Sequence, residues 1–357
     1  MDIRKIDKNF ESVGSFAGMI SYDIEQMPFQ LYGLCRQPGE TDYKRLPHAV
    51  AQAVDSPMVQ ALYTNTSGIR LRFRTDSLRI GLTCVLPSMV LPPHASRGGM
   101  SCFDLYADGR YCNTFFPGLE KPEEDLGGGG YRAMHTFTEK KEREILIHFP
   151  LYNNVTKVYI ALEEDAVVAP SIGYAHPAPI VYYGSSITQG GCASHPGNCY
   201  ASIISRRMDM DFVNMGFSGG CRGEKKLAEY FGSFPMGVFV YDYDHNAPDA
   251  AFLEATHEPF FKVFRSYQPH TPVLMISMAD KCVVDTQQRK AVIRRTWENA
   301  CSAGDKNVWF LDGEEIYREV GLDYCTVDRC HPNDLGFWCM ANAIEKTLRK
   351  ILHMETA

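Results

Sequence analysis

Residues 181–194 read VYYGSSITQGGCAS, and this stretch decides how the second half of the chain is interpreted. An apolar, β-branched and aromatic run ends at Gly184, where two serines follow and glycines soon return. Such a run is typical of a buried strand, whereas glycine and serine are common in turns. One interpretation is a solvated turn. The other is a nucleophilic serine on a tight turn from strand to helix, and the rest of the sequence has to decide between them.

Apolar runs alternate with helical patterns from residue 177 onward. The runs are APIVYY, FVNMG, GVFVYDY, PVLMISM and VWFLDG, and the helical segments are predicted at 198–209, 222–232, 250–267, 284–303 and 334–354. The runs lack the apolar–polar alternation of a half-exposed strand, as expected where helices cover both faces of a parallel sheet. We therefore predict a flavodoxin-like, three-layer α/β/α domain over residues 173–357, with a parallel sheet in strand order 2-1-3-4-5.

The first half of the chain has a different rhythm, with short strand-like stretches between turn signals. The stretch IRLRFRTDS, which begins at Ile69, alternates apolar and charged residues and so predicts a strand with one buried face. LRIGLTCVL, CFDLYADGRY, EREILIHFP and KVYIALEEDA continue the series. We predict an all-β sandwich or jelly-roll domain over residues 1–172, including an N-terminal extension over residues 1–59 whose pattern indicates no particular structure.

Composition and charge exclude several classes of partner. The net charge of -7, without a basic stripe, argues against nucleic acid. The N-terminus lacks the apolar segment of a secretory signal, and no apolar run approaches the roughly 18 residues of a membrane span. We therefore expect a cytoplasmic protein without a membrane partner. The 12 cysteines form no CxxC pair, so we expect no cofactor and no metal, although Asp242, Asp244 and His245 make a cation site conceivable.

Polar residues follow several of the predicted parallel strands, at the sheet edge where α/β proteins bind ligands. They supply what acyl transfer needs. Ser186 offers a hydroxyl, His331 a base that can take its proton, and Asp328 a carboxylate that can orient the imidazole. The backbone N–H groups of Ser186 and Gly216 and the side-chain amide of Asn246 are candidate donors to an oxyanion. In strand order 2-1-3, Ser186 lies between Gly216 and Asn246.

These residues resemble the four sequence blocks of the SGNH hydrolases, also called the GDSL esterase/lipase family. The blocks match Gly184–Thr188, Asn214–Gly219, Asn246 and Asp328–His331, in that order. The family has Asp where this chain has Ser185, which leaves two serines as candidate nucleophiles; the register to Thr188 favours Ser186. The third block also departs from the family pattern, because the glycine before the asparagine and the aspartate after it are missing.

The stretch CFDLYADGRY resembles a Gly-x-Asp-Leu-Tyr signature found in a sandwich domain in front of some SGNH hydrolases, with Cys102 at the glycine position. Two-domain relatives of this kind include esterases that remove acetyl groups from plant polysaccharides or small sugars. The resemblance implies a serine esterase that acts on short acyl groups, acetyl above all, of a sugar or oligosaccharide ester through an acyl-enzyme. The alternatives are a lipase or thioesterase for longer chains, or a glycan-binding protein whose chemistry has lapsed. The substrate-binding residues are not indicated, and homo-oligomerisation is left open.

Overall fold

The computed structural model describes residues 16–37, 39–89, 91–117, 126, 128–279 and 284–354. The contacts divide the chain into two compact units. The first comprises Met1–Arg45, Thr64–Gly173 and Ser194–Gly197, and the second comprises Leu46–Tyr63, Tyr174–Ala193 and Asn198–Ala357. The sequence predicts a single boundary near residue 173, whereas the contacts group 46–63 with the second unit and 194–197 with the first.

The first unit consists of two antiparallel sheets. Their strands are β1 Met19–Asp23, β2 Gln30–Tyr32, β3 Arg70–Thr75, β4 Arg79–Val85, β5 Phe103–Ala107, β6 Arg110–Phe115, β7 Tyr131–Thr136, β8 Arg143–His148, β9 Lys157–Glu163 and β10 Val168–Ala169. One sheet has the order β1-β9-β4-β7 and the other β10-β3-β8-β5-β6, with β2 beside β3. When β2 and β10 are left out and the other eight strands are renumbered from 1 to 8 along the chain, the two sheets have the strand orders 1-8-3-6 and 2-7-4-5. This two-sheet arrangement is a jelly roll, so the predicted sandwich is confirmed.

A hydrophobic core forms from alternate residues of both sheets. Ile80 and Leu82 of β4 and Ile145 and Ile147 of β8 are fully buried in one cluster. Because successive side chains of a strand point to opposite faces, this alternation is what a two-sheet core requires.

Strand β3 departs from its predicted one-sided burial. Leu71 and Phe73 lie in the core as expected, but Arg70 and Arg72 of the other face are buried as well. A buried guanidinium needs a partner, and Arg72 has one in Glu144, with Nη2 and Oε1 3.1 Å apart. The prediction of a single buried face is therefore wrong for this strand.

The helices, numbered along the whole chain, are α1 His48–Ala53, α2 Pro57–Leu62, α3 Arg97–Ser101, α4 Ser186–Gln189, α5 Tyr200–Met208, α6 Lys225–Gly232, α7 Ala250–Tyr267, α8 Thr286–Ser302, α9 Leu322–Cys325 and α10 Asp334–Ile351. The five helices predicted in the second half are all present, with ends within three residues of those expected. Helices α1 and α2 were not predicted. Ser56 and Pro57, a typical N-cap and first helical residue, were the available signal.

The second unit is built on a parallel sheet of β11 His176–Gly184, β12 Met210–Gly216, β13 Val238–Asp242, β14 Val273–Ile276 and β15 Val308–Leu311. The strand order is β12-β11-β13-β14-β15, which confirms the predicted order 2-1-3-4-5. Residues 180–183 of β11, an interior strand of the sheet, are fully buried, so both of its faces are covered, as the missing alternation predicts.

Among the described helices, none is both long enough and apolar enough to pass through a lipid bilayer.

Candidate active site

Ser186 lies on a single helical turn directly after strand β11. The turn begins at Ser185, whose hydroxyl oxygen accepts the N–H of Ile187 at 3.1 Å. It ends at Gly190, which has a φ of 102° and donates its N–H to the carbonyl oxygen of Ser186 at 3.1 Å. Because glycine adopts this left-handed conformation without a steric penalty, the turn stops after four residues. This strand–turn–helix holds the Ser186 side chain at the carboxyl end of the sheet.

His331 and Asp328 lie on a short loop before α10. Asp328 Oδ1 accepts the backbone N–H groups of Cys330 at 3.0 Å and His331 at 2.7 Å. The side chain of Asn333 caps α10 by accepting the N–H of Gly336 at 3.0 Å. The loop is therefore fixed at both ends, and one carboxylate oxygen of Asp328 organises its backbone.

The three residues predicted to carry catalysis form one continuous series of hydrogen bonds. Ser186 Oγ lies 2.9 Å from Nε2 of His331, and Nδ1 of the same ring lies 2.7 Å from Oδ2 of Asp328. Ser185, the other candidate nucleophile, uses its hydroxyl oxygen to cap α4 instead. Of the two serines, Ser186 is therefore the one whose hydroxyl is hydrogen-bonded to His331.

The environment of Asp328 favours its ionised form. Partial burial works against the charge, but hydrogen bonds from the backbone and ring of His331 more than offset it, so that the pKa of the carboxyl lies below its ordinary value. An ionised carboxylate can only accept hydrogen bonds, so the ring proton of His331 lies on Nδ1. Nε2 is then the acceptor that faces the Ser186 hydroxyl.

The N–H of Gly216, predicted to be an oxyanion donor, has a partner within the fold. Its N–H donates to the side-chain oxygen of Asn214 at 2.9 Å, and the amide of Asn214 donates to Thr188 of α4 at 2.7 Å. A Cβ at position 216 would lie 2.3 Å from the backbone nitrogen of Gln189. Gly216 therefore lets α4 approach β12 closely, and its N–H is directed to Asn214 rather than to a substrate.

Asn246 is buried and braces the loop that follows β12. Its amide nitrogen donates to the carbonyl oxygens of Phe217 at 3.0 Å and Cys221 at 3.1 Å. Its oxygen accepts the N–H of Gly219 at 3.1 Å. Both amide hydrogens of Asn246 are used in this structure, so its predicted role as an oxyanion donor requires one of these two bonds to break.

Gly219, the last residue of the second sequence block, was not among the predicted oxyanion donors. It lies in the loop after β12 with a φ of 63°, and its backbone N–H faces the Asn246 side chain. The adjacent N–H of Ser218 donates to the side chain of Gln189 in α4 at 2.9 Å. The loop thus contacts both the turn of Ser186 and Asn246. The pair Gly219–Gly220 in the sequence was the available signal, since a left-handed backbone favours glycine.

The segment of Asn246 is held by a buried ion pair. Asp244 and Arg289 are nearly inaccessible, and Asp244 Oδ1 lies 3.1 Å from Arg289 Nη1. Arg289 also donates to the carbonyl oxygens of Asp244 and Ala247, both at 3.0 Å. Asp244 Oδ2 accepts the N–H of Met278 at 2.9 Å. Asp244 therefore serves the fold here, tying β13 to β14 and α8.

Asp242 ends β13 next to Gly184 of β11 and is fully buried. Among the described residues, the hydrogen-bond partners of its Oδ2 are distant: the hydroxyl groups of Thr188 and Tyr200, each at 3.5 Å. Burial, followed by the nearby charge of Asp244, raises the pKa of Asp242 to about 8. A carboxyl that is largely neutral at neutral pH therefore lies beneath the turn of Ser186.

An open cavity of about 680 Å³ borders the loop after β12 within the second unit. Its lining includes Met58 of α2 together with Gly219 and Arg222. A cavity of this size is typical of sites for small ligands.

Two family models match the chain in succession. Residues 20–168 match the GxDLY model, described as the N-terminus of SGNH-hydrolase-type esterases. Residues 177–349 match the GDSL-like lipase/acylhydrolase family. Among curated proteins, none matches the chain.

Solved structures with the same architecture include esterases and an acyltransferase. A protein from Bacteroides ovatus described as a GDSL-like lipase is 27% identical, with a TM-score of 0.82 over 94% of this chain and 99% of that one. A salicylyl-acyltransferase from a tetracycline biosynthetic pathway is 19% identical, with a TM-score of 0.77 over 95% of this chain and 99% of that one. A family two carbohydrate esterase from Clostridium thermocellum, in complex with cellohexaose, is 12% identical, with a TM-score of 0.61 over 81% of this chain and 94% of that one.

The two matched segments follow the two sheet systems of the structure and leave only short stretches of the chain uncovered. Residues 177–349 therefore form a domain of the GDSL-like lipase/acylhydrolase (SGNH hydrolase) family, preceded by a GxDLY domain over residues 20–168, and the chain is a hydrolase of ester bonds.

Proposed function

We propose that the chain is a serine esterase in which Ser186 is the nucleophile, His331 the general base and Asp328 the group that orients the imidazole. The observation that carries the proposal is the series of hydrogen bonds from Ser186 Oγ through both ring nitrogens of His331 to Asp328. A hydroxyl becomes a good nucleophile when a positioned base takes its proton, and a carboxylate on the far ring nitrogen selects the right tautomer.

The reaction follows from these positions. Ser186 Oγ bonds to the ester carbonyl carbon while its proton passes to Nε2 of His331. The imidazolium, stabilised by Asp328, then returns that proton to the alkoxy oxygen as the carbon–oxygen bond to the alcohol breaks. Water repeats the sequence on the acyl-enzyme, giving its proton to His331 and releasing the acid with the Ser186 hydroxyl restored.

The tetrahedral intermediate needs donors aimed at its oxyanion. The N–H of Ser186, in the first turn of α4, is one candidate. In place of Gly216 we propose Gly219, because its N–H already points at a side-chain oxygen, Oδ1 of Asn246, that an oxyanion can replace. Asn246 then contributes an amide hydrogen once its bond to Phe217 or Cys221 gives way.

The substrate that we propose is a short-chain acyl ester, acetyl above all, of a sugar or oligosaccharide. The likeness of the fold to a carbohydrate esterase in complex with cellohexaose supports this choice. The cavity beside Gly219 is a candidate site for the alcohol part of such an ester. A lipase or thioesterase for longer acyl chains and a lapsed glycan-binding protein are the competing functions, and the intact hydrogen-bonded series argues against the second.

Hydrolysis of 4-nitrophenyl acetate by the wild type, Ser186→Ala and Ser185→Ala tests the proposal. We expect Ser186→Ala to lose at least about 10³-fold in kcat, because removing a catalytic serine can cost up to about 10⁶-fold. Ser185→Ala, the matched deletion of the neighbouring hydroxyl, is expected to lose only several-fold in kcat, because it removes a cap of the turn and not the nucleophile. Phenylmethanesulfonyl fluoride should label Ser186 alone among the serines of peptide 177–200, as read by mass spectrometry.

A wild type no faster than Ser186→Ala contradicts the esterase and supports the glycan-binding alternative. The substrate class is tested separately by comparing acetate with octanoate esters and by following release of acetate from acetylated xylo-oligosaccharides. A clear preference for octanoate contradicts the short-chain proposal and supports a lipase or thioesterase.

A further inference from the structure

Besides Asp328 and His331, another aspartate and histidine are hydrogen-bonded to each other, and this pair belongs to the first unit. Asp104 of β5 is fully buried and accepts three hydrogen bonds: from Thr114 Oγ1 at 2.8 Å, from the N–H of Gly197 at 2.6 Å and from Nδ1 of His195 at 2.5 Å. A buried carboxylate is stable only when donors surround it in this way. Asp104 therefore acts as an acceptor for all three groups.

The pair fixes the tautomer of His195. Since Nδ1 donates to Asp104, the neutral ring carries its lone pair on Nε2. The side chain of His195 is 17% exposed, and in the described part of the chain no group hydrogen-bonds to Nε2. His195 thus presents one acceptor to a ligand, in a fixed orientation.

Tyr111 lies against this histidine as a rigid, half-exposed aromatic ring. The single hydroxyl hydrogen of Thr114 goes to Asp104, so the hydroxyl of Tyr111 must be the donor in its 2.8 Å bond to Thr114. The ring of Tyr111 stacks on His195, with centroids 4.8 Å apart and planes 24° apart. Yet Tyr111 remains 50% exposed.

Isolated exposed apolar residues are ordinary on protein surfaces. Tyr111 differs because both its hydroxyl and its ring are held, so it loses little freedom when a ligand binds. A rigid aromatic surface beside a fixed hydrogen-bond acceptor matches a ligand that has an apolar C–H face and hydroxyl groups. The buried charge of Asp104 disfavours an anionic ligand.

We propose that Tyr111 and His195, positioned by Asp104, form a binding site for a neutral saccharide on the first unit. The exposed part of the Tyr111 ring contacts the C–H face of a sugar ring, and Nε2 of His195 accepts a hydrogen from a sugar hydroxyl. This site goes beyond the proposed esterase activity and does not depend on it.

Calorimetric titration of full-length Ser186→Ala protein with unesterified cellohexaose, xylohexaose and mannohexaose tests the site. We expect at least one of them to bind with a Kd of about 1 mM or lower. In the same background, Tyr111→Leu should weaken that binding at least tenfold. His195→Gln, which keeps an N–H for Asp104 but removes the imidazole, should weaken it at least threefold.

Tyr267→Leu is the matched control, because Tyr267 is a similarly exposed tyrosine, 55% accessible, in the second unit. It should leave the affinity unchanged. Thermal unfolding of each variant separates binding from folding, since a purely structural role of the pair lowers stability but leaves the affinity of the folded protein intact.

Two results overturn the proposal. One is that none of the three saccharides binds with a Kd below 10 mM. The other is binding that neither Tyr111→Leu nor His195→Gln weakens. The second result assigns the sugar to another site. Neither result bears on the esterase, whose test is the activity lost in Ser186→Ala.

Discussion

The hydroxyl oxygen of Ser185 accepts the backbone N–H of Ile187 at 3.1 Å and so caps the turn that carries Ser186. Aspartate and serine are both among the preferred N-cap residues, because each has a short side-chain oxygen that reaches this N–H. Ser185 therefore caps the turn in the way that is also possible for aspartate, the residue that the family has at this position.

Ser185→Asp is accordingly expected to leave stability and kcat within about twofold of the wild type. Ser185→Ala removes the cap and should cost about 1 kcal/mol in the free energy of unfolding, with a several-fold loss of kcat as the turn loosens. Urea denaturation and 4-nitrophenyl acetate kinetics measure both quantities. An alanine variant as stable as the wild type contradicts the capping role.

Asp328→Asn tests the orientation of His331. An asparagine preserves the shape of the side chain but removes the charge that stabilises the imidazolium, and its amide favours the wrong ring tautomer. We expect kcat to fall by about 10⁴-fold, the loss known when the aspartate of a serine triad is so replaced.

Asp323→Asn is the matched control for Asp328→Asn, because Asp323 is an exposed acid in the preceding helix α9. It should retain nearly full activity. If Asp328→Asn keeps more than a tenth of the wild-type kcat, Asp328 is not the orienting group.

The sequence predicted the parallel sheet and the Ser186–His331–Asp328 convergence because both follow from local patterns and from the edge where parallel strands end. It could not indicate the hydrogen-bond partner of Gly216, since the direction of a backbone N–H depends on the residue that accepts it. Here Asn214 accepts the N–H of Gly216, a choice invisible in the order of the blocks. The grouping of residues 46–63 with the second unit was not predicted for a related reason, because it depends on long-range packing.

Asn246→Ala separates bracing from oxyanion binding. Loss of the three bonds to Phe217, Cys221 and Gly219 should lower the free energy of unfolding by about 1–3 kcal/mol. If Asn246 also stabilises the oxyanion, kcat should fall by about 10²- to 10³-fold with little change in KM. Steady-state kinetics below the unfolding temperature measure this, and a kcat within tenfold of the wild type limits Asn246 to a structural role.

Arg289→Met tests the ion pair beneath the segment of Asn246. Removing the guanidinium leaves Asp244, which is 1% exposed, as an unpaired buried charge, and should cost about 3–5 kcal/mol in the free energy of unfolding. Arg289→Lys should recover little, because one ammonium cannot replace a planar group that bonds Asp244, Asp285 and Ala247 together.

Arg294→Met is the control for Arg289→Met, since Arg294 lies on the same helix with a 45% exposed side chain 3.6 Å from Asp312. An exposed pair of this kind contributes about 0–1 kcal/mol. Equal losses in urea denaturation for the two variants contradict a special role for the buried pair.

Asp242→Asn should change how stability depends on pH. The pKa of Asp242 rises from 3.8 in the unfolded chain to about 8 in the fold, so between these values the folded state holds a proton that the unfolded state releases. The stabilising contribution of protonated Asp242 is complete below pH 4 and is lost toward pH 8, by up to about 1.4 kcal/mol per pH unit.

Urea denaturation of the wild type and of Asp242→Asn at pH 5, 6, 7 and 8 measures this loss. Because asparagine does not titrate, the free energy of unfolding of the wild type minus that of the variant isolates the slope. A difference that stays constant or grows with pH contradicts a raised pKa, and an Asp242 that is ionised in the fold must then have a cationic or hydrogen-bonding partner close to the turn of Ser186.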